Sequence, residues 1–207
     1  MRIIKKYKAV MLVVFLLLGA GFAQAQEVVT MPNTSPTLAV STNLLYDATT
    51  SMNLGVEFQV QEKWTLKIPV TYNPWEFQDN KKFKLLLVQP ELRKWFCEPF
   101  TGSFFGVHAH YGIFNVGGVD LFGDDFLPNL KKWRYEGKLY GVGVSYGYDF
   151  YLAPRWSLEA SIGVGYARID YDRYDCHECG SKQNTKPESE NYFGPTQVGL
   201  SLIYIIK

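Results

Sequence analysis

The sequence predicts an all-β protein: an antiparallel up-and-down transmembrane β-barrel of about eight strands, preceded by a cleavable signal peptide. Three observations support this fold class. Apolar residues alternate with small or polar residues at a period of two along most of the chain. Beyond residue 25, no apolar run approaches the length of a membrane helix, so entry into a bilayer requires a closed barrel. The connections between strands alternate in length, as in bacterial barrels.

The N-terminal segment has the three parts of a signal peptide. An apolar run from residue 9 to about residue 23 follows a basic stretch and precedes the small-x-small motif Ala23-Gln24-Ala25. The basic residues are Arg2, Lys5, Lys6 and Lys8. We expect a signal peptide at 1–25, a periplasmic N-terminal segment at 26–36 and an outer-membrane barrel domain at 37–207. The alternative, an uncleaved helical anchor, needs a longer apolar run of roughly 20 residues.

Charge and aromatic content limit the class of protein. Without residues 1–25 the chain has 17 Lys and Arg against 20 Asp and Glu, because four basic and no acidic residues are removed, and its formal charge is −3. This balance does not suit nucleic-acid binding, which requires a basic patch to neutralise phosphates. Aromatic residues make up 16% of the chain, which suits a protein anchored at two membrane interfaces.

The clearest alternation predicts strands at 140–150 and 156–166. In the second of these, large apolar residues from Trp156 to Tyr166 alternate with Ser, Gly and Glu. Large apolar side chains on one face and small or polar ones on the other indicate an apolar exterior and a narrow polar lumen. The remaining strands are expected near 38–46, 54–60, 66–72, 86–92, 105–111 and 198–206.

The connections predict which ends of the strands share a side of the membrane. Tight turns are expected at 61–63, 97–99 and 153–155, on the periplasmic side with both termini. A short link near Thr49-Thr50 and longer segments at 74–83, 115–136 and 171–192 are expected on the outer side. A soluble barrel has no need for this alternation.

Several segments resemble a known family. They include Thr42-Asn43-Leu44-Leu45-Tyr46-Asp47-Ala48, Tyr72-Asn73-Pro74-Trp75, Val88-Gln89-Pro90-Glu91 and Asn191-Tyr192-Phe193-Gly194-Pro195-Thr196. With these segments the chain resembles the Bacteroidetes family of small outer-membrane β-barrel proteins catalogued as a domain of unknown function. The resemblance implies an outer-membrane barrel, in some members alongside fimbrial or surface-assembly components, and it implies no catalytic residues.

Eight ionisable residues are predicted to face the lumen and to form a polar network there. They are Glu57, Lys67, Glu91, Arg93, His108, His110, Asp149 and Glu159. Eight strands leave room only for side chains, and buried charges must be paired, so we interpret the set as a plug. Two alternatives stay open: a lipid- or glycan-modifying site with a His base, and a metal held by the two histidines. We assign no catalytic residue, metal or cofactor.

Two of the long segments contain further candidate residues. Cys176 and Cys179 are separated by two residues, and a local disulfide is the expected state in a secreted chain, with zinc binding and redox chemistry as alternatives. Apolar residues in the segment 117–133 are candidates for partner binding, or alternatively pack over the barrel mouth. These are Leu121, Phe122, Phe126 and Trp133.

These observations together predict a structural or surface-interaction protein of the outer membrane of a Gram-negative bacterium, not an enzyme. Expected partners are outer-membrane lipids, the barrel-assembly machinery and fimbrial or other surface proteins. The alternatives are a lipid- or glycan-modifying outer-membrane enzyme and a soluble secreted ligand-binding barrel.

Overall fold

A computed structural model describes residues 36–76, 82–117, 133–175 and 188–206 of the chain. These residues form nine β-strands and one short helix, α1. The strands are β1 (Leu38–Asn43), β2 (Met52–Gln61), β3 (Trp64–Glu76), β4 (Lys82–Val88), β5 (Glu91–Trp95), β6 (Gly102–Gly117), β7 (Trp133–Ala153), β8 (Trp156–Asp175) and β9 (Glu188–Ile205). Helix α1 (Leu44–Ala48) follows β1 directly.

The strands form one antiparallel sheet that closes into a ring. Strands that follow one another in the chain pair with each other, except β4 and β5, which both lie between β3 and β6. Strand β1 closes the ring because it pairs with β2 on one side and β9 on the other. The expected all-β antiparallel class is confirmed.

Strands β4 and β5 correspond to the single strand expected near 86–92. Val88 pairs with Val70 and Glu91 with Lys67, so the register continues unchanged across the gap. Pro90 has no backbone N–H and cannot complete the ladder, which accounts for the interruption. The ring therefore has eight strand positions.

The first strand is shorter than expected. It ends at Asn43 instead of Tyr46, because Asn43 caps a helix: its side chain accepts a hydrogen bond from the N–H of Leu45 at 3.1 Å. The segment near Thr49-Thr50 ends this helix, and the N–H of Thr49 donates to the carbonyl of Tyr46. The expected short link is thus a helical corner.

Other strands are longer than expected, so parts of the three predicted long loops are strand. Strands β3, β6 and β8 continue to Glu76, Gly117 and Asp175, while β7 already begins at Trp133. Apolar packing explains part of this extension. Buried side chains near these strand ends pack with half-buried neighbours, and the cluster consists of Val116, Tyr135, Phe83, Phe114, Trp133 and Tyr171.

The ring has two ends, which we call the turn end and the loop end. At the turn end, two-residue links at 62–63 and 154–155 join β2 to β3 and β7 to β8, as expected. The third link at this end spans 96–101 and is longer than the expected turn. At the loop end, Glu76, Gly117 and Asp175 end their strands, and α1 lies beside β9.

The two faces of the ring differ as the alternation predicts. On β8, Ile162, Val164 and Tyr166 are exposed, whereas Ser161 and Ala167 between or beside them are buried. The other strands repeat this pattern, with large apolar side chains outside and polar side chains inside. The exterior of the ring is therefore its apolar face.

Some expectations concern residues outside those described. They are the signal peptide 1–25, most of the segment 26–36, the cysteines Cys176 and Cys179, and Leu121, Phe122 and Phe126. Within the described residues, the only helix is too short to cross a membrane.

Candidate functional site

The interior of the ring contains a cluster of buried charged side chains. All eight residues predicted to face the lumen are buried, and their relative exposure does not exceed 5%. They are Glu57, Lys67, Glu91, Arg93, His108, His110, Asp149 and Glu159. The strand register brings several of them side by side, because Glu57 pairs with Lys67, Lys67 with Glu91, and Glu91 with His108.

Arg93 lies at the centre of this cluster and contacts three carboxylates. Its guanidinium donates to Glu159 at 2.5 and 3.1 Å and to Glu57 at 2.9 Å. It also contacts an oxygen of Glu91 at 2.7 and 2.8 Å. The side chain of Arg93 is fully buried. A planar guanidinium with five N–H donors suits this multiple contact, which a lysine could not reproduce.

Lys67 extends the cluster along β3. Its ammonium group donates to both carboxylate oxygens of Glu159, at 3.1 and 3.3 Å. Asp149 pairs with Glu159 across β7 and β8 and adds a fourth buried carboxylate to the same region. Two cationic side chains, Lys67 and Arg93, therefore face four carboxylates inside the ring.

Uncharged side chains complete the network, and the sequence pattern did not single them out. The hydroxyl of Thr65 donates to Glu57 at 2.6 Å, and the hydroxyl of Ser145 donates to Glu91. Gly106 lies against the Glu91–Ser145 contact, where a Cβ would collide with both side chains. The alternation places Thr65 and Ser145 on the inner face, so their inward position could have been predicted. It does not indicate which carboxylates they contact.

An aromatic floor lies below the charges, towards the turn end. The Arg93 guanidinium stacks 4.2 Å from the ring centroid of Phe104, and Trp95 lies 4.9 Å from the same ring. The indole N–H of Trp95 donates to Thr65 at 2.9 Å. Because buried aromatics and a cation–π contact fill this level, the interior is closed by side chains here.

The two histidines lie on the loop-end side of the cluster. Their ring centroids are 5.8 Å apart, and Nε2 of His108 lies 2.9 Å from the hydroxyl of Thr196. Gly143 leaves room for the His108 ring, since a Cβ there would lie 2.5 Å from Nε2. Thr196 faces inward because β9 contains a bulge: Gln197 pairs with Gly163 but Pro195 with Val164.

This arrangement does not complete a catalytic or metal site among the described residues. A hydroxyl beside a histidine could serve as nucleophile and base, but Nδ1 of His108 has no hydrogen-bond partner to orient the ring. In the same part of the chain, no group of three or more His, Cys, Asp or Glu side chains is placed to hold a metal ion. The best-defined chemistry of the interior is charge pairing.

A small polar cavity of about 40 Å³ lies above the cluster, towards the loop end. Lys67 and Glu159 line it from below, and Asn43 and Tyr46 line it where β1 passes into α1. The rest of its wall is mainly hydroxyl and amide side chains, including Ser41, Thr71, Gln89, Ser161, Gln197 and Ser201. The sequence analysis did not predict this cavity, because its wall combines distant strands with the helix.

Trp133 is the only residue of the predicted partner-binding group that lies among the described residues. It is the first residue of β7 and is half-buried, not an exposed loop residue. It packs on the cluster around Val116 and Tyr135, and the Arg173 guanidinium lies 5.1 Å from its ring centroid. The expectation that Trp133 belongs to a loop was therefore wrong, because apolar packing extends the strand.

Fold and site define a class of protein: an all-β protein whose antiparallel strands form a ring with an apolar exterior and a charged interior. A family model described as "Protein of unknown function (DUF3575)" matches residues 10–206, and the chain belongs to this family. The expected membership of a family of unknown function is thereby confirmed. Neither a curated protein nor a solved structure matches the chain significantly.

Proposed function

We propose that this chain is an outer-membrane barrel of a Gram-negative bacterium, exported with its signal peptide and closed in its lumen by the Arg93 cluster. The turn end and both termini face the periplasm, and the loop end faces outward. In this proposal the protein is structural and presents its loop end to other surface components, as the family resemblance implies.

The single observation that carries this proposal is a pair of aromatic rows on the outside of the ring. The row near the turn end consists of Trp64, Phe96, Trp156 and Tyr204, and the row near the loop end consists of Tyr72, Tyr111, Tyr140, Tyr166 and Phe193. On β8 the rows are about ten residues apart, which matches the span of a membrane strand. Mainly aliphatic side chains lie between them, and we call the two rows together with the surface between them the belt.

The distribution of polarity supports the same proposal. A soluble barrel buries its apolar side chains and exposes its polar ones, whereas here Glu159 and Arg93 are fully buried and Ile162 is 57% exposed. Large contiguous apolar surfaces are rare on soluble monomers. Hydrocarbon around the belt would keep these exposed apolar side chains out of water. The same distribution disfavours the alternative of a soluble ligand-binding barrel.

The ring beyond the loop-end row is suited to water. On β8, the outward side chains after Tyr166 are Arg168 and Asp170, and the hydroxyl of Ser189 donates to Asp170 at 2.7 Å. This hydrogen bond and the Arg168 guanidinium hold the pKa of Asp170 below its usual value. Strands β7, β8 and β9 thus extend past the belt as a charged wall, a surface that protein partners can reach.

A matched pair of substitutions tests the membrane assignment. Ile162→Arg places a charge in the middle of the belt and should oppose insertion by about 2–4 kcal/mol. Ile113→Arg, at a similarly exposed outward position beside Lys138, should have an effect of at most about 1 kcal/mol. Insertion is measured by outer-membrane fractionation and by folding into vesicles. Equal behaviour of the two variants would overturn the proposal, because a soluble protein exposes both positions to water.

The role at the surface needs a separate measurement. Crosslinking in intact envelopes, followed by capture of this protein and mass spectrometry, should recover other surface proteins. Recovery of the barrel alone would contradict the surface-interaction role and leave a stand-alone structural barrel.

A further inference from the structure

Strand β9 has a free edge over its loop-end half. Its pairing with β8 extends from Tyr204 to Glu188, whereas its pairing with β1 stops at Ser201. Beyond Ser201, no described strand pairs with β9 on its β1 side, and helix α1 lies beside it there. The edge of a sheet presents backbone N–H and C=O groups that are able to pair with another extended chain.

The register shows which backbone groups of β9 point towards this edge. The N–H of Ile205 donates to the carbonyl of Arg155, so the odd-numbered residues below the bulge direct their N–H and C=O groups towards β8. The bulge at Thr196 inserts one residue and reverses the alternation. Above the bulge, three odd-numbered residues therefore direct their backbone groups towards the free edge, namely Ser189, Asn191 and Phe193. We call these three residues the open edge.

The part of the edge nearest α1 is partly closed by the chain itself. The Asn43 amide donates to the carbonyl of Val198 and accepts from the N–H of Leu200, both at 3.3 Å. Pro195 has no N–H, and its carbonyl accepts from the hydroxyl of Tyr192 at 3.2 Å. These contacts lie within the belt, where water is not available to satisfy backbone groups.

The open edge lacks such contacts. Its backbone groups have no hydrogen-bond partner on the free side among the described residues. The side chain of Phe193 is 81% exposed, whereas the four tyrosines of the same aromatic row are 40–49% exposed. Phe193 is more exposed because it has a neighbouring strand on one side only. No lysine or proline, the residues that commonly block an edge, occurs between positions 188 and 193.

Acidic side chains flank the open edge on both faces of the sheet. On the outer face, Asp170 accepts from the hydroxyl of Ser189. Glu190 lies on the inner face, and in the described part of the chain no cationic side chain contacts it. A partner with Lys or Arg side chains would supply the missing positive charge.

We propose that the open edge binds an extended basic segment of another surface protein, which pairs with β9 as an additional strand. Backbone hydrogen bonds supply affinity in this mode of binding, and alternate side chains supply specificity. Here an apolar side chain would cover Phe193, and a Lys or Arg would pair with Glu190. A second copy of the chain is disfavoured as the partner, because it would bring the same acidic side chains together.

The place of this contact at the cell surface rests on the proposed function, because it requires the loop end to face outward. The pairing itself does not depend on a membrane. It is therefore testable on the purified full chain in a maltoside detergent.

A synthetic peptide of about seven residues, in which Val and Lys alternate, is the probe. At about 1 mM peptide, the amides of Ser189, Asn191 and Phe193 should exchange their hydrogens at least about tenfold more slowly. The Leu200 amide, which is already bound to Asn43, should change by less than about twofold. Unchanged exchange at all three open-edge amides would overturn the proposal.

Two control peptides separate strand pairing from other binding. N-methylation of two consecutive central residues blocks both edges of the peptide, because neighbouring N–H groups point in opposite directions. Replacement of Lys by Glu keeps both edges and reverses the charge. Fluorescence anisotropy of labelled peptides should show binding at least about tenfold weaker for each control. Equal binding of the methylated peptide would contradict backbone pairing.

A matched pair of variants locates the contact on β9. Ser189→Pro removes an N–H that points away from β8 and should weaken peptide binding at least about tenfold. Ser189→Ala keeps this N–H while losing the hydroxyl bound to Asp170, so binding should stay within about twofold. Equal binding of the two variants contradicts the site. If Ser189→Pro does not fold, the exchange pattern and the methylated peptide decide.

Light scattering in the same detergent tests the alternative of a second copy. The purified protein should be monomeric at the concentrations used for peptide binding. A dimer that dissociates in Ser189→Pro would assign the open edge to a second copy and overturn the proposed partner. Equal insertion of Ile162→Arg and Ile113→Arg would contradict the membrane barrel and leave the peptide result standing, whereas absence of peptide pairing would leave the barrel intact.

Discussion

Arg93 is the residue on which the interior depends most. Its replacement by Met leaves Glu57, Glu91 and Glu159 buried without their shared cation, and breaking a buried ion network in this way destabilises by about 3–5 kcal/mol. The matched control is Lys84→Met, which breaks an ion pair with Glu76 in which both side chains are about half exposed. This control should lose at most about 1 kcal/mol.

Urea unfolding of the protein in vesicles, followed by tryptophan fluorescence, measures both free energies. A loss in Arg93→Met no larger than that in Lys84→Met would contradict the central role of Arg93.

The sequence identified Arg93 as an inward residue because Leu92 and Arg93 fall on opposite faces of the alternation. It could not identify the partners, since Glu57 and Glu159 reach Arg93 through the closure of the ring. The inward position of Thr196 could not be predicted from the alternation, because the bulge in β9 moves its side chain from the outer to the inner face of the ring.

At the scale of elements, the seam between β1 and β9 depends on Asn43. Its amide replaces backbone pairing that β1 no longer supplies: it donates to the carbonyl of Val198 at 3.3 Å and accepts from the N–H of Leu200 at 3.3 Å. It also caps α1 through the N–H of Leu45. One side chain thus joins the helix to both sides of the seam.

Asn43→Ala should therefore destabilise the protein by about 1–2 kcal/mol, because it removes the cap of α1 and leaves the part-buried N–H of Leu200 without its partner. Hydrogen exchange of the Leu200 amide should become at least about tenfold faster. The control is Asn191→Ala, which removes an exposed contact with the Tyr166 hydroxyl and should change stability by no more than about 0.5 kcal/mol. Unchanged exchange at Leu200 would show that backbone pairing alone holds the seam.

The elements also show which boundaries a sequence can predict. The turns at 62–63 and 154–155 follow from local polarity and from Pro154, so they were predicted correctly. The end of β1 was not predicted correctly. Leu44 and Leu45 continue the apolar pattern of the strand, whereas the helix cap at Asn43 depends on the conformation of the residues around it. The extension of β7 to Trp133 was missed for a similar reason: the packing that stabilises it joins residues from several strands.

At the scale of the whole molecule, the filled interior predicts that the proposed barrel is a scaffold and not a pore. Eight strand positions enclose a space that side chains fill, and here Arg93, Trp95 and Phe104 cross it. The small cavity near α1 lies above them. Passage of hydrated ions would require several of these side chains to move together.

The purified protein should therefore produce no stepwise conductance in planar bilayers at a salt concentration on the order of 1 M, whereas larger barrels with open channels conduct. The double variant Arg93→Ser with Glu159→Ser removes one charge of each sign and shortens two side chains that cross the lumen. If it folds, it should also show no conductance steps, because Trp95 and Phe104 still fill the interior towards the turn end. Large conductance steps in the unchanged protein would contradict the closed lumen while leaving the membrane assignment intact, since an open barrel also requires the apolar belt.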